Sequence, residues 1–164
     1  MNITLIAAIG LNNELGKDND LIWSIPEDLR FFKENTLNKY IVMGMNTYLS
    51  LPRKLLNRKY IVLTHKECNL DDDIVVCHNI SELLEYIKDI DTEIMVIGGA
   101  SIYGQMIDFA DKMLLTEIDD ARDADVYFPS FNKDDWDKDI LSEHVYNGLS
   151  YKHVKYVRKK VNFK

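Results

Sequence analysis

Among the residues able to do chemistry, Asp28 stands out, in the run Pro26-Glu27-Asp28-Leu29. Proline suits the first turn of a helix, and Glu27 and Asp28 bring negative charge to its positive end. Compensation of the helix dipole would be a sufficient reason for the acid. Phe32, however, lies four residues on, so the carboxylate shares a face with an aromatic ring and has Leu29 beside it. On a buried face the acid would be partly desolvated, and a partner offering two parallel N–H bonds would be strongly favoured there. Spacing alone leaves the structural and the functional readings level.

A second feature occurs twice: a buried strand that ends in glycine and leads into a helix start, in Val42-Met43-Gly44-Met45-Asn46-Thr47 and in Val96-Ile97-Gly98-Gly99-Ala100-Ser101-Ile102-Tyr103. Free N–H groups at a helix start and a backbone without Cβ suit an anion, and two such places could hold two halves of a dinucleotide. The formal motifs GxGxxG and GxxxxGK[ST] are both absent, and at Gly44 backbone geometry alone is a sufficient reason for glycine. The paired Gly98-Gly99 implies unusual peptide geometry or a very close ligand. Trp23 lies between a long polar stretch and the helix that bears Asp28, as core packing or as the anchor of a lid over a flat ligand. The densest basic run is Arg53-Lys54-Leu55-Leu56-Asn57-Arg58-Lys59, which by itself reads as a solvated loop. His65, His78, His144 and His153 are scattered without metal-ligand spacing, and no metal site is expected.

The elements that must position these residues follow from the apolar pattern. Ile3 to Ile9 reads as a central strand covered on both faces, followed by an unstructured polar stretch from Leu11 to Ser24 that contains Gly16. A helix is expected from Pro26 to Asn35 with Leu29, Phe31 and Phe32 on its apolar side. Strands follow at Tyr40–Met43, Lys59–Thr64 and Ile74–Cys77, and Asn46-Thr47 can open a short helix. Asn79 with Glu82 marks the start of a helix over Ser81–Lys88. A strand at Glu93–Ile97, a helix at Ser101–Asp108 and a strand at Lys112–Ile118 complete the alternation. Beyond it no helix is expected, and Trp136–Tyr146 and Tyr151–Val161 pair through Asn147-Gly148 as a hairpin. The fold expected is α/β: one domain over residues 1–164, a mostly parallel sheet of about eight strands with an antiparallel C-terminal hairpin, and about four flanking helices.

Composition narrows the function. With 46% hydrophobic and 29% charged residues in 164, the chain can bury a core without staples. Two cysteines, Cys68 and Cys77, make no disulfide framework, and a reducing, cytoplasmic compartment is expected. No leader pattern and no apolar run of roughly 20 residues is present, so neither export nor membrane insertion is expected. A net charge of −7 argues against nucleic acid as partner.

Taken together, the residues resemble the bacterial type of dihydrofolate reductase along the whole chain. The marks are Leu5-Ile6-Ala7-Ala8, Gly16, Trp23, Pro26-Glu27-Asp28-Leu29, Phe32-Lys33, Asn35 to Lys39, Met43-Gly44, Thr47, Arg58, Met95 to Gly99, Tyr103, Leu115-Thr116, Asp125 and Phe128-Pro129. Each is modest alone, but in this order and spacing they are specific. The resemblance implies NADPH-dependent reduction of dihydrofolate to tetrahydrofolate in one-carbon metabolism, by a monomer that antifolates would also bind. It implies that Asp28 holds the 2-amino group and N3 of the pterin with support from Thr116. It also implies that Ile6, Ala8, Phe32 and Leu51 form a slot around the rings, and that Arg58 forks onto the substrate carboxylate. Ala8 and Ile97 would receive the nicotinamide of NADPH, with Gly44, Thr47, Gly98, Gly99, Ser101 and Ile102 around the pyrophosphate and Thr64, His65 and Lys66 at the 2′-phosphate. Tyr103 would stand near the hydride path, and Asn12 to Ile22, with Gly16 and Leu21, would be the lid, anchored by Trp23. Three positions depart from the pattern: Met45 replaces a frequent arginine, Asn46 a histidine and Ile22 a proline, which puts more weight on His65 and Lys66 for the cofactor phosphate.

Two rival readings are weaker. A receiver-type signalling module would want acids just after its first strand, where Gly10-Leu11-Asn12-Asn13 stands. A same-fold pyrimidine reductase of riboflavin synthesis would lack equivalents of Asp28 and Arg58, and both are present.

Overall fold

The structure, a computed structural model, describes residues 1–51 and 54–160. The apolar opening run forms β1 (Ile3–Ile9), followed by β2 (Glu14–Lys17), β3 (Asp20–Leu21), α1 (Pro26–Thr36), β4 (Tyr40–Gly44), α2 (Met45–Ser50), β5 (Lys59–Leu63) and β6 (Val75–Cys77). Then come α3 (Ile80–Ile87), β7 (Ile94–Gly98), α4 (Ala100–Met106), β8 (Lys112–Ile118), β9 (Val126–Tyr127), β10 (Trp136–Tyr146) and β11 (Leu149–Arg158). Eight strands make the main sheet in the order β10-β11-β8-β1-β7-β4-β5-β6. From β8 to β6 every neighbour is parallel, whereas β11 runs antiparallel to β8 and β10 to β11. The α/β architecture expected from the sequence is the one observed.

Near-continuous apolar strands are needed because both faces of this sheet are covered. Leu5, Val42, Ile61, Val96 and Leu115 point to one side, where they pack with Leu83 and Ile87 of α3 and Ile102 and Met106 of α4. The alternate residues Ile6, Met43, Val62, Met95 and Leu114 point to the other, against Phe31 and Phe32 of α1 and Met45 and Tyr48 of α2. Burying these side chains, at roughly 1.5–3 kcal/mol each, is the main favourable contribution to the fold.

Several expectations need correction. The stretch from Leu11 to Ser24 is not structureless: β2 and β3 form a small hairpin, and β2 pairs with β9 through Glu14↔Tyr127 and Gly16↔Val126. Its turn residues Asp18 and Asn19 sit at φ 53° and 63°, a conformation that Asp and Asn tolerate and a two-residue hairpin turn requires. Leu29 does not belong to the apolar side of α1, being 53% exposed, because the helix turns Phe31 and Phe32 inward instead. Helix α4 stops at Met106 and tightens into a 3-10 turn over Ile107–Phe109, and a second such turn, Lys133–Asp135, falls where no helix was expected. Strand β11 begins at Leu149, two residues ahead of its expected start, and ends at Arg158; Val161 lies outside the described residues. No helix among the described residues is long and apolar enough to cross a membrane.

Candidate active site

Register assembles the site. Ala8 of β1 lies beside Thr116 of β8, Thr116 beside His153 of β11, and His153 beside Ser142 of β10. Partners in register point to the same face, so these side chains form a row across the sheet. Asp28, in the first turn of α1, comes down onto this row. The Thr116 hydroxyl donates to Asp28 Oδ1, and His153 Nε2 lies 3.3 Å from the same oxygen. Asp28 keeps 22% of its side chain exposed, and among the described residues its side-chain hydrogen bonds fall on Oδ1, leaving Oδ2 for a ligand. Beside it the half-buried Phe31, Phe32, Leu51 and Ile97 pack against the buried Ile6, making an apolar wall next to a charged acid.

Arg58 stands at the far end of α1 and is tied down. Its Nε donates to Thr36 Oγ1 at 3.2 Å, one terminal nitrogen to Leu56 O at 2.6 Å and the other to Lys33 O. Among the described residues each of its three nitrogens makes one such bond, and both terminal nitrogens carry a second N–H that a carboxylate could take. Lys54 from the same basic run is paired with Asp73, and Arg53 lies outside the described residues.

The two glycine-bearing strand ends are neighbours, since β4 and β7 pair side by side. A Cβ on Gly99 would stand 3.6 Å from Thr47 Oγ1, and one on Gly44 would stand 3.2 Å from Ile102. Glycine thus leaves bare backbone beside Thr47 and Ile102, with Ser101 exposed next to Ile102 at the start of α4. The Gly98-Gly99 peptide is cis, and Gly98 adopts φ 127°, so the pair does have unusual geometry. Tyr103 is buried, its hydroxyl donating to Ile6 O at 2.6 Å, and burial pushes it well above the usual phenol range. The group therefore serves as a fixed donor that holds β1 against α4. Thr64 is half-buried at the end of β5, with exposed His65 and Lys66 after it.

Trp23 and the hairpin cover the outer end of β1. The Trp23 indole donates to Asp120 Oδ2 at 3.0 Å, and that bond, with Arg122 beside it, holds the Asp120 carboxyl below the usual range. Asp18 N donates to Asp125 Oδ2 at 3.0 Å. Gly16 is needed where it stands, because a Cβ there would come within 2.7 Å of Asp20 O. Leu21 is 73% exposed at the hairpin's edge. Glu14 and His153 are the two buried polar groups here that sequence reading did not select. A lone acid in a polar stretch and an isolated histidine in an alternating strand carry no local signal, and only strand pairing reveals them.

An α/β sheet with an acid beside the carboxyl ends of two parallel strands and bare glycine backbone at two others has the layout of small-molecule enzymes that bind at such ends. The family model for dihydrofolate reductase matches residues 2–158. A dihydrofolate reductase of Buchnera aphidicola subsp. Schizaphis graminum is 44% identical over 132 residues, 80% of this chain and 81% of that protein. One from Haemophilus influenzae is 36% identical over 137 residues, 84% of each. Among solved structures, dihydrofolate reductase from Enterococcus faecalis complexed with NADP(H) and RAB-propyl superposes with TM-score 0.88 at 27% identity, covering 97% of both chains. The chain belongs to the dihydrofolate reductase family.

Proposed function

We propose that the protein reduces 7,8-dihydrofolate to 5,6,7,8-tetrahydrofolate with NADPH, through a site built on Asp28. The observation that carries the reading is the Asp28 carboxylate, held by Thr116 beside the wall of Ile6, Phe32, Leu51 and Ile97 and open on one oxygen. A flat heterocycle with an amino group and a ring N–H on one edge matches that combination: two donors for the acid and two apolar faces for the wall. Ala8, next to Thr116, would face the ring where a larger side chain would obstruct it.

A dinucleotide would lie along the strand ends at Gly44 and Gly99, where the absence of Cβ atoms lets it approach the backbone. Bound there, the nicotinamide supplies hydride to pterin C6. Gly98, Gly99, Ser101, Ile102 and Thr47 would hold its pyrophosphate, Thr64, His65 and Lys66 its 2′-phosphate, and Ile97 with Ala8 its nicotinamide. Asp28 would favour the ring protonated at N5 by its charge, with water carrying the proton and the Gly16–Leu21 hairpin excluding bulk solvent. Arg58 would bind the substrate's carboxylate through its terminal nitrogens.

We take residues 1–164 as one domain, supported by a sheet whose strands come from both ends of the chain. A monomer is favoured because the outer strand β10 is bulged at Ile140/Ser142 and carries Asp137, Lys138, Asp139 and Glu143, while β6 at the other edge has three residues. We assign the protein to the cytoplasm as a target for antifolates.

Loss of NADPH absorbance with dihydrofolate tests the reading. Asp28→Asn replaces an acceptor by a donor opposite two N–H groups, and kcat/KM should fall on the order of a thousandfold, the scale of two charge-assisted bonds. NADPH affinity, followed by fluorescence, should stay within about twofold. An Asn variant as fast as the parent would refute the role given to Asp28.

A further inference from the structure

Nothing in the spacing of the histidines singles out His153, and the reaction as described makes no use of it. In the fold its ring is 5% exposed and stacked on Phe31, with centroids 3.8 Å apart and planes 12° from parallel. Nε2 lies 3.3 Å from Asp28 Oδ1, Nδ1 lies 3.4 Å from Ser142 Oγ, and Ser142 Oγ lies 2.7 Å from His144 Nε2. An ionised carboxylate can only accept, so His153 Nε2 must carry the hydrogen. In the neutral ring Nδ1 is then a lone pair, which Ser142 can satisfy only by donating its hydroxyl hydrogen. That leaves Ser142 Oγ to accept from His144 Nε2–H. The chain His144 to Ser142 to His153 to Asp28 runs in one direction with each link supplied by one hydrogen, and it determines the tautomer of both rings.

We infer that His153 is a positioning residue for Asp28. With Thr116 it places two donors on Oδ1, which stops the carboxylate from rotating and holds its plane, with Oδ2 foremost, toward the pterin edge. The inference rests on the reading of Asp28 as the pterin-holding acid. The stack on Phe31 asks only for a flat ring, and phenylalanine would provide one. What the imidazole adds is the N–H aimed at the acid, and its far nitrogen is fixed from the neighbouring strand so that this hydrogen stays in place. A preorganised acceptor loses less freedom when substrate binds, so the effect belongs to substrate affinity rather than to the hydride step.

The experiment compares His153→Phe, which keeps the stack and loses the donor, with His153→Gln, which returns an N–H at similar reach. With NADPH saturating, His153→Phe should raise KM for dihydrofolate about tenfold, equivalent to about 1.4 kcal/mol, while kcat stays within about twofold. His153→Gln should recover most of that loss, and KM for NADPH should move in neither variant. In the unaltered protein, nitrogen-15 NMR should find the hydrogen on Nε2 of His153 and a changed Nε2 signal in Asp28→Asn. A Phe variant with the parent's KM, a Gln variant as impaired as the Phe variant, or an Nε2 found without its hydrogen would each overturn the proposal. The NMR result decides it even if the Phe variant does not fold. If Asp28→Asn is inactive and His153→Phe is not impaired, only the role of His153 falls; if Asp28→Asn is fully active, the site reading falls with it.

Discussion

An arginine in a basic surface run and an arginine that binds substrate have the same composition around them, and Arg58 is separated from its neighbours only by its bonds. Thr36, Leu56 and Lys33 take three of its N–H groups and immobilise the guanidinium at the end of α1. The group is already held in place, so little rotamer entropy would be lost on binding a carboxylate. Arg58→Gln should raise KM for dihydrofolate about 10- to 30-fold, the scale of a charge-assisted pair worth about 1.5–2 kcal/mol, with kcat nearly unchanged. A pterin lacking the carboxylate-bearing tail should be reduced equally well by parent and variant; a defect that persists with that substrate would show that Arg58 acts only by bracing α1.

The β2–β3 hairpin shows the same dependence one level up. Few apolar contacts hold this short element, and its attachment comes from polar groups. Glu14, 1% exposed, accepts Asn12 N at 2.6 Å and Arg122 N at 2.7 Å, tying the hairpin to the segment before β9. Burial pushes its carboxyl upward, but the backbone N–H bonds from Arg122, Glu14 itself and Asn12 together outweigh burial and hold it below the usual value. Glu14→Gln puts an amide with donors of its own against two N–H groups. Amide hydrogen exchange at Asn12 and Arg122 should become about fivefold faster or more, for a loss on the order of 1 kcal/mol. Unchanged protection at both amides would mean that pairing with β9 alone secures the hairpin.

For the molecule as a whole, a half-buried polar tie joins segments that are distant in the chain. Glu93 accepts from Thr4 Oγ1 at 2.6 Å and from Lys39 Nζ at 2.6 Å, linking β1 with the residues that lead into β4 and β7. Burial raises its carboxyl, and the bonds from Lys39 and Thr4 more than reverse that, so the net direction is down. Glu14 and Asp120 are lowered as well. A carboxyl whose folded value is depressed stabilises the fold fully above its unfolded value, near 4.5 for Glu, and loses that contribution as pH falls through the folded value. Tm should therefore be level near neutrality and drop steeply with acid below about pH 4.5. Glu93→Gln should lower Tm by about 2–6 °C at pH 7, with the gap to the parent narrowing as the pH is taken down to about 3. A gap that is constant over this range would show that the charge on Glu93 contributes nothing.

How much of this was legible beforehand follows the range of the physics involved. Apolar runs, a proline at a helix start, Asn79 as a cap and Asn147-Gly148 at a hairpin turn are local signals, and the strands and helices they imply are present. Asp28, Thr116, Arg58 and the glycines could be selected because the order and spacing of the residues around them resemble a family. Register across strands was not legible, because it depends on residues far apart meeting in one row. Thr116 reaches Asp28 from 88 positions away and His153 from 125, and β2 finds β9 more than a hundred residues on. A polar residue signals nothing locally when its partner is distant. Glu14 therefore reads as part of a loop and His153 as one of four scattered histidines until packing of the sheet gives each of them something to hold.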